Sequence, residues 1–421
     1  MPDPGAAVVA SAAGARSFGD LLDRTLLTPP RNSAVAVAGR AVPDPSMLFL
    51  SGGSLHGAFG AGLLDEWRRT APRGRLPEFK VVTGISTGAI LATFAFLNRT
   101  EDAVRGYSIG HERELLTPIV SVRNGVPTEK GYVDMLRKGA VADLSPLRQR
   151  LIHFIDKGAL EAVAAEAGPG RERVLLVGVV DVDTGQALAL DLTEMARRYA
   201  AERDEAERVR LQGCYVEAIL ASSSAPMAAL PVFIDNRMYV DGGVRFGMFS
   251  DEIGDRIERS SAAAAAGGGP RFYVVVNGDQ ELSARCGKAD AARHCARGDP
   301  PGNYEGVHRK WRFTELALRS EQMLANQVYR FSASTIETAA RNRGVPFHLA
   351  KIGPDMSRHR YTLDDPALGR AETMTCEEWR KEDRKIDDPV QFYPRYMRCV
   401  IDYGRASQRT GSAWGSAKPP K

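Results

Sequence analysis

The stretch FKVVTGISTGAILATFAFL (Phe79–Leu97) decides the fold class. Its first half, Phe79–Ser86, is short, apolar and ends at glycine, which predicts a buried strand running into a turn. Its second half, Thr87–Leu97, is apolar throughout and long enough for a buried helix. The junction Gly84-Ile85-Ser86-Thr87-Gly88 fits G-x-S-x-G. Between a strand and a helix, such a turn lifts the serine hydroxyl clear of the sheet, and Gly84 and Gly88 avoid neighbouring backbone. The helix N-terminus then favours negative charge beside Ser86, the candidate nucleophile. Read alone, the pentapeptide also fits a plain strand–helix turn whose serine caps the helix.

Upstream, the same rhythm occurs once more. MLFLSGG (Met47–Gly53) is an apolar run ending at glycines, and His56–Thr70 carries Phe59, Leu63, Leu64 and Trp67 on one helical face. Two strand–turn–helix units in succession predict a parallel α/β sheet. The turn between them, Gly52-Gly53-Ser54-Leu55-His56-Gly57, offers successive backbone N–H groups to an anion, as an oxyanion hole requires. A pyrophosphate cradle is the competing use, but Ser54 breaks G-x-G-x-x-G and no acidic ribose partner follows a second strand.

Downstream, Arg99–Gly170 reads as a polar helical insertion broken at Pro118, Pro127 and Pro146. Its apolar positions Leu115, Leu116, Ile119, Leu147, Leu151, Ile152 and Phe154 suit either an acyl-chain cap or ordinary core packing. Arg173–Leu192 predicts two strands joined at Asp183-Thr184-Gly185, Met195–Ser224 is mostly helical, and Pro231–Gly243 predicts a hairpin around Asp235-Asn236. Arg271–Gly278 is a further buried strand, Ser260–Pro270 a low-complexity loop and Trp311–Arg341 a long helix. Asp241, at a strand end before Gly242 and Gly243, is the candidate base for Ser86. A carboxylate shielded from water gains basicity and can serve without an imidazole. Taken in isolation, Asp-Gly-Gly is also an ordinary turn. The chain has 7 histidines, none in the strand-end loop after an acid that a Ser…Asp…His order needs.

These residues together resemble the patatin-like phospholipases, in particular bacterial ones. GGSLHG, GISTGAI and YVDGG occur in that family's order, and ASSSAPMAALPVFI (Ala221–Ile234) is similar to the segment leading to its aspartate strand. The resemblance spans about residues 46–278. It implies a three-layer α/β fold with a mainly parallel central sheet, helices on both faces and a helical insertion after the elbow. It implies Ser86 as nucleophile, Asp241 as base, and the N–H groups of Gly52, Gly53 and Ser54 as oxyanion hole. His56, Gly57, Gly84, Gly88, Gly242 and Gly243 support the motifs. The implied activity is hydrolysis of lipid or phospholipid acyl esters, with no metal and no organic cofactor, and with peripheral membrane contact through the substrate. Two positions depart from the family pattern: Ser54 stands for the usual third glycine and His56 for the usual Arg or Lys.

Composition sets the outer bounds. Of the 421 residues, 43% are hydrophobic and 26% charged, which excludes a disordered or collagen-like chain. No run of about 18 apolar residues predicts a spanning helix. The formal charge of +4 gives no case for a nucleic-acid partner. The organisation expected is an N-terminal arm (1–45) with one short helix near Phe18–Leu27, a catalytic domain (46–360, insertion about 99–170), and a C-terminal extension (361–421) that wraps the surface and ends in disorder. Cys286/Cys295 and Cys376/Cys399 suit two disulfides with Cys214 left over; five free thiols is the alternative in a reducing compartment. The first residues lack a basic segment before their apolar run, so no signal peptide is expected as written, in keeping with a cytoplasmic protein, or with export if a signal was trimmed. Two further readings stay open: a patatin-fold scaffold with weak turnover, and a Ser-His-Asp esterase.

Overall fold

Short apolar runs bounded by glycine or proline become strands here, and the amphipathic stretches between them become helices. The structure, a computed structural model, describes residues 8–10, 16–17, 44–123, 126–249, 270–278, 313–342 and 344–416. In chain order the elements begin with β1 (Val8–Ala10), β2 (Arg16–Ser17), β3 (Asp44–Leu50), α1 (Gly57–Thr70), β4 (Phe79–Ile85), α2 (Thr87–Phe96) and α3 (Thr100–Tyr107). Then come β5 (Thr117–Pro118), β6 (Val122–Arg123), β7 (Val126–Pro127), α4 (Glu129–Lys138), β8 (Ala140–Asp143), α5 (Ser145–Phe154) and α6 (Lys157–Glu166). A second block holds β9 (Val174–Asp181), β10 (Ala187–Asp191), α7 (Leu192–Ala201), α8 (Glu205–Ser223), β11 (Met227–Ala229), β12 (Val232–Ile234) and β13 (Arg237–Asp241). The last elements are β14 (Phe272–Val276), α9 (Phe313–Asn342), β15 (Phe347–Lys351), β16 (Arg360–Asp365), β17 (Arg370–Thr375), α10 (Cys376–Ile386), α11 (Pro394–Arg409) and β18 (Trp414–Ser416).

The central sheet runs β18-β15-β14-β3-β4-β9-β10-β1-β2, with β13 beside the end of β9 and β12 beside β13. From β15 through β14, β3 and β4 to β9 every neighbour is parallel, whereas β10 and β13 run antiparallel to β9 and β18 antiparallel to β15. Side chains alternate across β3: Leu48 and Leu50 enter one core, Met47 and Phe49 the other. The first core is shared with α1, α2 and α8, and the second is closed by Ala333, Ile336 and Ala340 of α9. This is a three-layer α/β arrangement around a mostly parallel sheet.

Three expectations need correction. The N-terminal stretch is not only an arm, because β1 adds a strand parallel to β10; the expected helix at Phe18–Leu27 lies outside the described residues, as does most of Ser260–Pro270. The insertion is not wholly helical, since β5, β8 and β11 form a small sheet of their own. Its apolar positions Leu115, Leu147 and Leu151 belong to the main core, with Ile152 and Phe154 packed against it. The C-terminal segment does not wrap the surface. Tyr396, Met397, Val400 and Ile401 of α11 are buried against α1. The two helices meet at glycines: a methyl on Gly62 would strike the Ile401 carbonyl, and one on Gly404 the Phe59 carbonyl. β18 then extends the sheet edge beside β15. Cys376 and Cys399 form a disulfide and Cys214 does not; Cys286 and Cys295 lie outside the described residues.

Candidate active site

Ser86 sits alone between β4 and α2, with φ 56° and ψ −125°. Such a conformation costs a non-glycine residue about 1–3 kcal/mol and persists only where its surroundings impose it. Those surroundings leave no room for side chains on either side. A methyl on Gly84 would strike the Gly88 carbonyl, and one on Gly88 the Leu50 carbonyl. The Ser86 carbonyl accepts the first helical bond, from Ala89 N at 2.9 Å. Next along α2, Thr87 is hydrogen-bonded to the Tyr107 hydroxyl. Full burial pushes the Tyr107 pKa up, so this contact stays neutral.

β9 is the ruler that brings the candidate base to the elbow. Ile85 at the end of β4 is in register with Gly178, and Asp241 at the end of β13 with Val179, the next residue of the same strand. Gly242 fits because a methyl there would lie 2.7 Å from the Gly178 carbonyl oxygen and 3.1 Å from Ile85. The C-terminal serines of α8 tie the two strand ends together. Ser222 Oγ accepts from Ser86 N at 3.0 Å and donates to the Gly178 carbonyl at 2.6 Å. Ser223 Oγ donates to the Ser86 carbonyl at 3.1 Å, and the Ser224 carbonyl accepts from Asp241 N at 3.0 Å. Asp241 is buried, and its Oδ1 accepts from Gly243 N at 2.7 Å.

The glycine-rich turn follows β3. Gly53 has φ 155°, and a methyl there would strike the Asn277 carbonyl, so only glycine fits. Ser51 Oγ donates to the Gly52 carbonyl at 2.7 Å and accepts from Asn277 N at 2.9 Å, which fixes the turn to the end of β14. Among the described residues, none accepts from the N–H of Gly52 or Gly53. Ser54 holds φ 52°, a conformation that favours glycine. Its Oγ accepts from Gln391 Nε2 at 2.7 Å, and His56 Nε2 shares a 2.8 Å hydrogen bond with the Tyr396 hydroxyl. A methyl on Gly57 would collide with Thr87 and Tyr107, so α1 starts in contact with the elbow helix.

The three motifs therefore converge. A methyl on Gly52 would lie 3.0 Å from Cβ of Ser86. A family model for patatin-like phospholipases matches residues 48–249, a span that holds the glycine-rich turn, the elbow and Asp241. Over those residues the chain is similar to the patatin-like phospholipases. Among solved structures it is similar to VipD from Legionella pneumophila, at 13% identity over 70% of this chain and 67% of that one, with a TM-score of 0.32. No match was found among curated proteins.

One side chain at this candidate site comes from beyond the matched span. The hydroxyl of Tyr329, on α9, lies 2.5 Å from where a Gly52 methyl would be and 3.5 Å from where a Gly243 methyl would be. Its ring fills the space that methyls on Gly247 and Gly278 would need. Sequence reading assigns Trp311–Arg341 only a helix; the signal it holds is four distant glycines that all make way for one ring. Of the histidines, His348 stacks on Tyr273 and His359 pairs with Asp402 at 2.8 Å, while His294 and His308 lie outside the described residues. Among the described residues no three His, Cys, Asp or Glu side chains are grouped to hold a metal ion.

Proposed function

We propose that this protein hydrolyses carboxylic ester bonds of lipids or phospholipids through a Ser86–Asp241 dyad. The observation that carries the reading is the register on β9, where Ile85 and Asp241 face consecutive residues, Gly178 and Val179. Asp241 takes the Ser86 proton as Oγ attacks the acyl carbonyl. Negative charge gathers on the carbonyl oxygen, and the N–H groups of Gly52, Gly53 and Ser54 receive it. Loss of one such donor typically costs about a hundredfold or more in rate. The protonated Asp241 gives its proton to the departing alcohol, leaving an acyl-serine. Water, activated by the same carboxylate, then releases the fatty acid and restores Ser86.

Several features support this order of events. The strained serine stands at the N-terminus of α2, where the helix dipole favours an oxyanion. The Gly52 and Gly53 N–H groups meet no acceptor among the described residues, and preorganised donors need no rearrangement during reaction. In this reading the catalytic domain covers about residues 46–360, and contact with a lipid surface follows from the substrate. The test is hydrolysis of a short-chain nitrophenyl ester and of mixed phospholipid vesicles by wild type and Ser86→Ala. The expected result is turnover of both by wild type and of neither by the variant. Equal rates for the two proteins would end the proposal.

A further inference from the structure

The two positions where the glycine-rich turn departs from the family pattern both face the C-terminal segment. Ser54 Oγ accepts from Gln391 Nε2 at 2.7 Å, and His56 shares its 2.8 Å bond with Tyr396. Both partners are themselves held from several sides. The Glu112 carboxylate, from the stretch after α3, accepts from Val390 N at 2.8 Å and from Gln391 N and Phe392 N at 2.6 Å each. Tyr396 N donates to Asp383 at 3.0 Å, and the neighbouring Arg395 pairs with Asp365, Asp383 and Asp387. The disulfide to Cys376 fixes α11 one turn further on, at Cys399.

We propose that Gln391 and Tyr396 are positioning residues for the anion seat, so that the C-terminal segment is a working part of the active site. This positioning role rests on the reading of Gly52–Ser54 as donors to an oxyanion. Ser54 occupies a left-handed conformation that glycine adopts freely and serine does not. Glycine would hold that turn unaided, whereas serine needs an outside contact, and its hydroxyl has one in Gln391. His56 closes the same short turn, a 3-10 segment over Ser54–His56, and is tied to α11. A clamp at each end holds the N–H groups in the geometry at which charge develops. A misplacement of about 1 Å at such a site can cost around a hundredfold in rate.

The experiment uses the full chain and measures kcat and KM on a nitrophenyl ester, with melting temperature alongside. Wild type and Ser86→Ala serve as controls; if these two have equal rates the proposed function fails, and this inference falls with it. Gln391→Ala should lower kcat by about ten- to a hundredfold with KM nearly unchanged. Ser54→Gly in the Gln391→Ala background should restore most of that loss, because glycine holds the turn without the clamp. Tyr396→Phe, which removes one oxygen and leaves the packing of α11 in place, should lower kcat in the same sense. The inference is overturned if Gln391→Ala and Tyr396→Phe keep wild-type kcat. It is equally overturned if Ser54→Gly restores nothing and the losses follow melting temperature.

Discussion

Ser86 and Ser54 are serines in backbone conformations that favour glycine, with φ 56° and 52°, and in the proposed mechanism each is held there for a reason. At Ser86 the strain aims a nucleophile; at Ser54 it shapes the donor turn. Gly53 has no such latitude, since its φ is 155° and a methyl would meet the Asn277 carbonyl. Gly53→Ala should therefore cost at least about a hundredfold in kcat, read by ester hydrolysis on folded protein. Tyr329 is the less obvious residue. Its hydroxyl stands beside both Gly52, in the proposed anion seat, and Gly243, two residues after Asp241. Tyr329→Phe should lower kcat about tenfold with little change in KM, in line with loss of a hydroxyl near developing charge; an unchanged kcat would leave that ring a packing role. The legibility of these residues differs for a physical reason. Ser86, Asp241 and the glycines stand in short local patterns, because a turn needs particular residues at adjacent positions. Tyr329 reaches the site only through the packing of a distant helix, and no local pattern marks it.

At the scale of elements, β3, α1, β4 and α2 were readable because each carries its own periodicity and ends at glycine or at a polar turn. The hairpin at Asp235-Asn236 was equally local: both residues have positive φ, at 49° and 62°, as a tight two-residue turn demands. The partner of α11 was not readable. Its amphipathic pattern says that one face is covered, but not that α1, more than 300 residues earlier, covers it. The pairing depends on Gly62 and Gly404 meeting the opposite backbone. Gly404→Leu should destabilise the protein by about 1–3 kcal/mol through overpacking, measured by denaturant unfolding. The disulfide between Cys376 and Cys399 closes a stretch of 23 residues that includes α10. Replacing both cysteines by serine should cost about 3 kcal/mol by chain-entropy reasoning, and an unchanged unfolding midpoint would contradict that account.

Across the whole molecule, the described C-terminal elements and the elbow belong to one core, and stability should carry the signature of the buried charges that join them. Arg395 serves Asp365, Asp383 and Asp387 at once. Asp383 is the deepest of the three, and burial pushes its pKa up to about 6 despite the guanidinium. The sign follows from linkage. A carboxyl whose pKa is raised on folding adds stability below its unfolded value, and that stability is lost as pH rises through the folded value. From pH 4 to pH 7, wild type should lose about 2 kcal/mol relative to Asp383→Asn, because pH 4 already lies above the ordinary carboxyl value and part of the change falls below it. Parallel stability curves would refute the assignment. The N-terminal strand β1 and the small sheet of β5, β8 and β11 escaped the sequence reading for a related reason, since two- to four-residue strands have no periodicity to detect. The central claim, that Ser86 is a nucleophile activated by Asp241, is tested most directly by mass spectrometry of the adduct formed with a fluorophosphonate probe. Modification at Ser86 in wild type, and a rate at least about a hundredfold lower in Asp241→Asn, is the expected result. An adduct on another residue, or an Asp241→Asn protein that labels at the wild-type rate, would contradict it.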